Sequence, residues 1–206
     1  MNIYLKVNEN QRTEDSTERW NSFDKRMILK KCWVSLVNNL SQEDSIYIYY
    51  SNTKDSTIEW MQQTCPVLHN FIETESDIES NMLALSDIKE YSKIEQDNRK
   101  LVAFLEDDYL WLPNAMKVIK EASNYWKGFI LANDSPNNYT SHIKSLVFVG
   151  PDRHWKTNAF VNWNLIGSTF IFNTHIDIIE NALKTKDLRL LQNLLKKTDV
   201  ISPITA

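Results

Sequence analysis

The sequence predicts one α/β domain, built as a mostly parallel central sheet with helices on both faces and a small antiparallel element in its C-terminal half. Three observations lead there. In the first half of the chain, short apolar runs alternate with longer stretches of helical periodicity, the pattern of a doubly wound sheet. The run Leu101–Leu105 has no polar residue, as a strand buried on both faces requires. The second half carries two apolar runs, 146–149 and 165–172, that read as an antiparallel pair. No repeat, low-complexity segment or linker divides the 206 residues, so a single domain is expected over 1–206.

Taken in order, Ile3–Val7 is the first predicted strand. Residues 8–19 contain no apolar side chain and are expected to form a polar loop. From Phe23 to Leu40 apolar residues recur at roughly helical spacing, on a helix that also carries Lys25, Arg26, Lys30 and Lys31. Ile46–Tyr50 is a second strand ending in Ser51 and Asn52. A helix over 55–63 is capped by Asp55 or Ser56. Val67–Ile72 is a third strand, and 76–95 a helix with Ile78, Met82, Leu85 and Ile88 on one face. Leu101–Leu105 follows, then a helix over 114–126, a strand over Phe129–Ala132, the pair at 146–149 and 165–172, a helix over Asp177–Leu183 and a last one near 187–196.

Bulk properties remove several classes of function. The formal net charge is −4 and the isoelectric point about 5.6, with no basic stretch suited to a nucleic-acid groove, so no nucleic acid is expected as a partner. No apolar run reaches membrane-spanning length and no signal-peptide pattern opens the chain, so a cytoplasmic protein without a transmembrane segment is expected. Cys32 and Cys65 lie in apolar or helix-like surroundings and read as buried free thiols. Gly128, Gly150 and Gly167 are the only glycines. Neither a Walker loop nor a dinucleotide fingerprint can be assembled from them, so any nucleotide must be held without a glycine cradle. A cation bridging its phosphates is the alternative.

The most informative segment is Glu106-Asp107-Asp108. It falls at the carboxyl end of the most apolar strand, where open α/β sheets place their ligand crevice. Adjacent carboxylates repel one another and are best tolerated around a divalent cation or a positive ligand. A solvated turn, with Pro113 opening a helix at Asn114, is the plainer reading. If the backbone stays extended, Glu106 and Asp108 share a direction and Asp107 points the other way. Hard oxygen ligands select Mg²⁺ or Mn²⁺. Ser51 and Asn52 end a strand as turn residues or as contacts to a base edge, since an amide both donates and accepts. His154-Trp155 lies in a polar stretch, where an indole offers a sugar a stacking face; Trp111 and Trp163 share that dual reading. Asp134 reads as a turn residue or as a base facing the same crevice, and Asp152 is the other candidate base. No serine elbow or Cys/His pair points to a covalent nucleophile. Phosphate-ester hydrolysis also uses acids at a strand end and stands as a further alternative.

The stretch Val102–Pro113, with Glu106-Asp107-Asp108-Tyr109-Leu110, resembles the metal-binding segment of GT-A glycosyltransferases, especially small bacterial and phage-encoded members. Other local matches come in the same order: Tyr49–Asn52, Asn133–Tyr139, His154–Thr157, Gly167–Phe172 and Val200–Ile204. The resemblance thus covers most of the chain. It implies a single GT-A, Rossmann-like domain with a nucleotide-binding half over about 1–108 and an acceptor-side half over about 109–206. It implies transfer of a sugar from a nucleotide donor, a UDP-sugar, to an unknown sugar, lipid or protein acceptor, with Mn²⁺ or Mg²⁺ as cofactor. By the same resemblance Asp108 is the main metal ligand with Glu106 beside it. Glu106 and Asp107 contact the nucleoside or support the metal, and Asn52 approaches the base. On the residues themselves Ser51, His154 and Trp155 are further candidate donor contacts, and Asp134 and Asp152 the candidate catalytic bases. In the closest family pattern a Thr-His pair follows the Ser-Pro-Ile segment and completes the metal shell. Here Ser202–Ala206 has none, leaving His154, His175 or water for that position. Donor hydrolysis beside transfer, or a catalytically weak nucleotide- or sugar-binding module, is therefore also expected. A phage origin would place the protein in the host cytoplasm.

Overall fold

The computed structural model describes residues 1–9, 24–132, 146–150, 153–157, 164–187, 189–190, 193–194 and 200–203. Within them the chain runs β1 (Asn2–Asn8), α1 (Lys25–Val37), β2 (Ser45–Ser51), α2 (Asp55–Thr64), β3 (Leu68–Glu73), α3 (Asp77–Ile94), β4 (Leu101–Glu106), α4 (Ala115–Ala122), β5 (Ile130–Leu131), β6 (Val147–Val149), β7 (His154–Thr157), β8 (Leu165–Ser168), α5 (Thr169–Thr185) and β9 (Ile201–Pro203). The described strands form one sheet in the order β3-β2-β1-β4-β8-β5-β9-β7-β6.

The first half is all parallel, as the strand–helix alternation requires: β1 pairs with β2 and β4, and β2 with β3. Here α1 and α2 carry the chain outward from β1 to β2 and β3. After α3 it returns across β1 to start β4. The strand order therefore reverses between β1 and β4, and the crevice beyond their carboxyl ends is the topological switch point.

Side chains alternate across these strands. Ile3, Leu5, Val7, Ile46, Ile48, Ala103 and Leu105 pack with α1, α2 and α4 on one face. Tyr4, Tyr49, Val102 and Phe104 pack with α3 and α5 on the other. Helices thus cover both faces, each sealing one half of the core.

The C-terminal half departs from the expected layout. The sheet as a whole is mixed rather than mostly parallel: β8 runs antiparallel to both β4 and β5, and β7 antiparallel to both β6 and β9. The run 146–149 does not pair with 165–172. Instead β6 forms a hairpin with β7, closed by the Gly150 N–H donating to the Arg153 carbonyl at 3.0 Å. A side chain at Gly150 would place its Cβ 2.6 Å from that same carbonyl oxygen, so the turn needs glycine. His154-Trp155 is accordingly strand, not polar loop.

The run 165–172 is strand only to Ser168, and α5 begins eight residues before the expected Asp177. Ser168 caps it by accepting the Ile171 N–H at 3.3 Å. The β-branched and aromatic residues that follow resemble a strand, but Ile171, Phe172, Ile176 and Ile179 are buried at helical spacing. The expected helix near 187–196 lies largely outside the described residues. In the first half the differences are confined to element ends; β1 extends to Asn8, into the expected loop.

Candidate functional site

The switch point gathers charged groups from four elements. Lys6 is the one cation in the apolar strand β1 and is only 4% exposed. Its Nζ donates to Glu106 Oε1 at 3.3 Å and to Asp77 Oδ2 at 3.4 Å, at the start of α3. Asn8 Nδ2 donates to Asp77 Oδ1 at 3.1 Å. Glu106 is further fixed because its N–H donates to Asn164 Oδ1 at 2.9 Å, just ahead of β8. Glu106 thus follows the side-chain direction of Phe104, toward α3.

Asp107 takes the opposite direction, as strand alternation dictates. It is 6% exposed and accepts from Lys25 Nζ at 2.8 Å and from the Asn8 N–H at 2.9 Å. Burial pushes the Asp107 carboxyl up, with Lys25 and the Asn8 N–H pulling against it. Burial also works against the Lys25 ammonium, but the Asp107 carboxylate outweighs it and holds Lys25 above the ordinary lysine range. Lys25 and Arg26 sit in the first turn of α1, where the helix dipole disfavours cations. Tertiary partners explain them: Lys25 meets Asp107, and Arg26 Nε lies 3.1 Å from Glu9 Oε1. Glu9 in turn accepts from the Lys54 N–H at 2.9 Å and from Thr57 Oγ1, tying the end of β1 to the start of α2.

Asp108 is different. It is exposed and makes no hydrogen bond or ion pair with a described residue. The three acids are therefore two that are already ion-paired, followed by one exposed carboxylate. Around them, burial first, then Glu106 and Asp108, push the Tyr109 phenol up, while a hydrogen bond with Asn164 opposes. Burial and the charges of Asp108 and Asp107 push the Cys32 thiol up to about 11, so no thiolate nucleophile stands here at neutral pH. Cys32 is buried and Cys65 half-buried, and both are free thiols.

Ser51 ends β2 directly opposite Asn8. Its hydroxyl is buried and without a hydrogen-bond partner among the described residues, on the α3 side of the sheet. Asn52 follows at φ 50°, a left-handed conformation that asparagine tolerates better than most residues, and its side chain is exposed. Both lie two strands from Glu106.

His154 shares the carboxylates' edge of the sheet. The register runs Ala103 to Ile166, Ile130, Ile201 and Thr157, which places His154 level with Glu106. Four strand spacings of about 4.8 Å still separate them, or about 19 Å. Trp155 and Trp111 are buried, 1% and 6% exposed, so neither indole offers a free stacking face; the Trp111 backbone N–H donates to Ser35 Oγ at 2.9 Å. Burial pulls His175 below its ordinary value; it lies on α5 against Phe129, nearer the level of Val102 than of Asp108. Asp134, Asp152 and Trp163 lie outside the described residues, although β5, which leads to Asp134, runs parallel to β4 and ends on the same edge.

The groups that sequence reasoning missed are Lys6, Asn8, Glu9, Asp77 and Asn164, and Lys25 was noted only as a helix residue. Lys6 had a signal, a lone cation inside a buried strand. The others become meaningful only once the strand order brings β1 beside β4.

Among the described residues, no three His, Cys, Asp or Glu side chains converge as a ready cation shell. The donor set suits Mg²⁺ or Mn²⁺ in the form these ions favour with nucleotides, one or two carboxylates with the remaining positions taken by phosphate oxygens and water. Asp108 would be the available ligand, while Glu106 is held by Lys6. No helix among the described residues is long and apolar enough to cross a membrane. No protein-family model and no curated protein sequence matches the chain.

Proposed function

We propose that the chain is a metal-dependent glycosyltransferase of the GT-A fold that takes a sugar from a nucleotide donor, by its resemblance a UDP-sugar, to an acceptor. One observation carries this reading. An unpaired carboxylate, Asp108, projects at the switch point of the sheet, between strands whose carboxyl ends supply the polar groups of the crevice. The parallel first half, with helices on both faces, is consistent with a Rossmann-like α/β fold and supports the reading.

In this reading Asp108, with Glu106 in support, would hold the cation, which would supply charge neutralisation to the diphosphate leaving group. Lys25 and the α1 N-terminus add positive potential on the same side, replacing a glycine-rich loop. Lys6 orients Glu106. The Ser51 hydroxyl, without a hydrogen-bond partner among the described residues, and the exposed Asn52 amide would meet the nucleoside. Asp134 or Asp152 would take the acceptor proton in an inverting reaction; a front-face retaining reaction needs neither.

A second reading, a binding module with little turnover, is favoured by the pairing of Glu106 and Asp107 with lysines, which leaves a single free carboxylate. Incubation with a panel of UDP-sugars and Mn²⁺, reading UDP release with and without acceptors, separates the two. Release that stops with EDTA and in Asp108→Asn supports the transferase. Donor binding without release across the panel supports the module, and metal-independent binding contradicts the transferase.

A further inference from the structure

A groove of about 920 Å³ runs along the outer face of α1, walled on its far side by Leu110, Trp111, Pro113 and Asn114. A surface helix normally turns polar residues outward. Here Met27, Lys31 and Val34 form one outward stripe at i, i+4 and i+7, with Met27 42% and Val34 44% exposed. Leu110 across the groove is 66% exposed. Among the described residues the lining holds three cations, Arg26, Lys30 and Lys31, against one carboxylate, Asp24. The chain as a whole has the opposite balance, 23 cations to 27 carboxylates. Arg26 is tied to Glu9 and Lys30 lies 5.2 Å over the Trp60 ring, while Lys31 makes no ion pair with a described residue. From Asp24 to Asn38 the groove follows the helix for roughly 20 Å, the length of a lipid chain rather than of a headgroup.

We propose that this groove binds an anionic amphiphile, a lipid with a single hydrocarbon chain and a phosphate headgroup. The phosphate sits at Lys31, and the chain runs from there over Val34 and Leu110 toward Asn38. Exposed apolar surface flanked by cations is the pattern that holds anionic lipids. The walls are a helix and an irregular segment, so the groove offers no strand edge to a peptide. It starts at the α1 N-terminus beside the Lys25–Asp107 pair, and its far wall continues from Asp108, so the lipid lies next to the crevice. Its binding does not depend on the donor reading and is measured without nucleotide or metal.

The test is calorimetric titration of lysophosphatidic acid, below its micelle concentration, into the full chain. Monoacylglycerol of equal chain length and inorganic phosphate are the comparison ligands. The variants are Lys31→Glu, Val34→Asp and, as a remote control on α5, Lys184→Glu, each checked for folding by circular dichroism. Lysophosphatidic acid should bind the wild type. Its affinity should fall about fivefold or more in Lys31→Glu and in Val34→Asp and stay unchanged in Lys184→Glu; about fivefold is what one cation contributes beside an anionic lipid. Monoacylglycerol should bind more weakly by a similar factor, and inorganic phosphate should not displace the lipid. No binding, or equal binding in all variants, overturns the proposal. So does a dimer in sedimentation that Val34→Asp dissociates, because the groove would then belong to a second copy of the chain.

Discussion

Lys25→Met should leave Asp107 as a buried carboxylate without its counter-charge. At 2.8 Å, and with an effective dielectric constant of about 20, the lost attraction is about 6 kcal/mol before solvent is considered. Water reaches part of the pair, since the Lys25 side chain is 21% exposed against 5% for Asp107. Breaking fully buried pairs costs about 3–5 kcal/mol and exposed ones less than about 1 kcal/mol, so a loss of about 3 kcal/mol is expected here. The Asn8 N–H remains on Asp107 and limits the damage. Urea unfolding at neutral pH measures it. The double variant Lys25→Met/Asp107→Asn removes the stranded charge as well, and should recover about half of the loss or more. A Lys25→Met protein within about 0.5 kcal/mol of wild type would refute the view that this pair holds α1 against the end of β4.

Further outcomes follow from the same geometry. Asp44 is buried and accepts from Lys120 and the Met1 amine at 2.7–3.0 Å. Burial acts to raise its pKa, but those partners and Ser41 outweigh it and hold the carboxyl below its ordinary value. With a lowered folded pKa, its contribution is present above the unfolded value near about 4 and is lost as the pH falls through the folded one. Asp44→Asn should flatten that part of an acid-denaturation curve. Gly167→Ala would place a Cβ 2.5 Å from Ile171 Cγ2 and 3.1 Å from the Phe129 ring, and should cost about 1–3 kcal/mol by thermal or urea unfolding. Ser51→Ala removes a buried hydroxyl without a described partner, so stability should hold within about 1 kcal/mol while UDP affinity falls; unchanged affinity would take Ser51 out of the donor site.

The parallel half of the fold was legible because each strand is an apolar run and each helix has a buried stripe, from Ile3–Val7 to Leu101–Leu105. The hidden part is where local signals conflict. Thr169, Ile171 and Phe172 have strand propensity yet start α5, because Ser168 caps it and their burial follows helical spacing. The short runs at 146–149 and 154–157 pair with each other across a turn that the sequence marks with Gly150-Pro151-Asp152, but nothing local says which run is the partner. At the site, alternation correctly sent Glu106 and Asp107 to opposite sides. What the sequence did not reveal is that Lys6 and Lys25 occupy those two acids, since both contacts span 80 or more residues and depend on β1 lying beside β4. Trp155 reads as a ligand-stacking residue in a polar stretch, but strand β7 turns it into the core.

The most direct test of the account is calorimetric titration of UDP into the wild type and Asp108→Asn, each with and without Mn²⁺. Asp108 is exposed and unpaired, so its amide variant should fold as the wild type does. The account predicts binding by the wild type that requires Mn²⁺, and at least about a tenfold loss, about 1.4 kcal/mol, in Asp108→Asn. UDP binding that ignores both the metal and Asp108, or no binding under any metal condition, would contradict it.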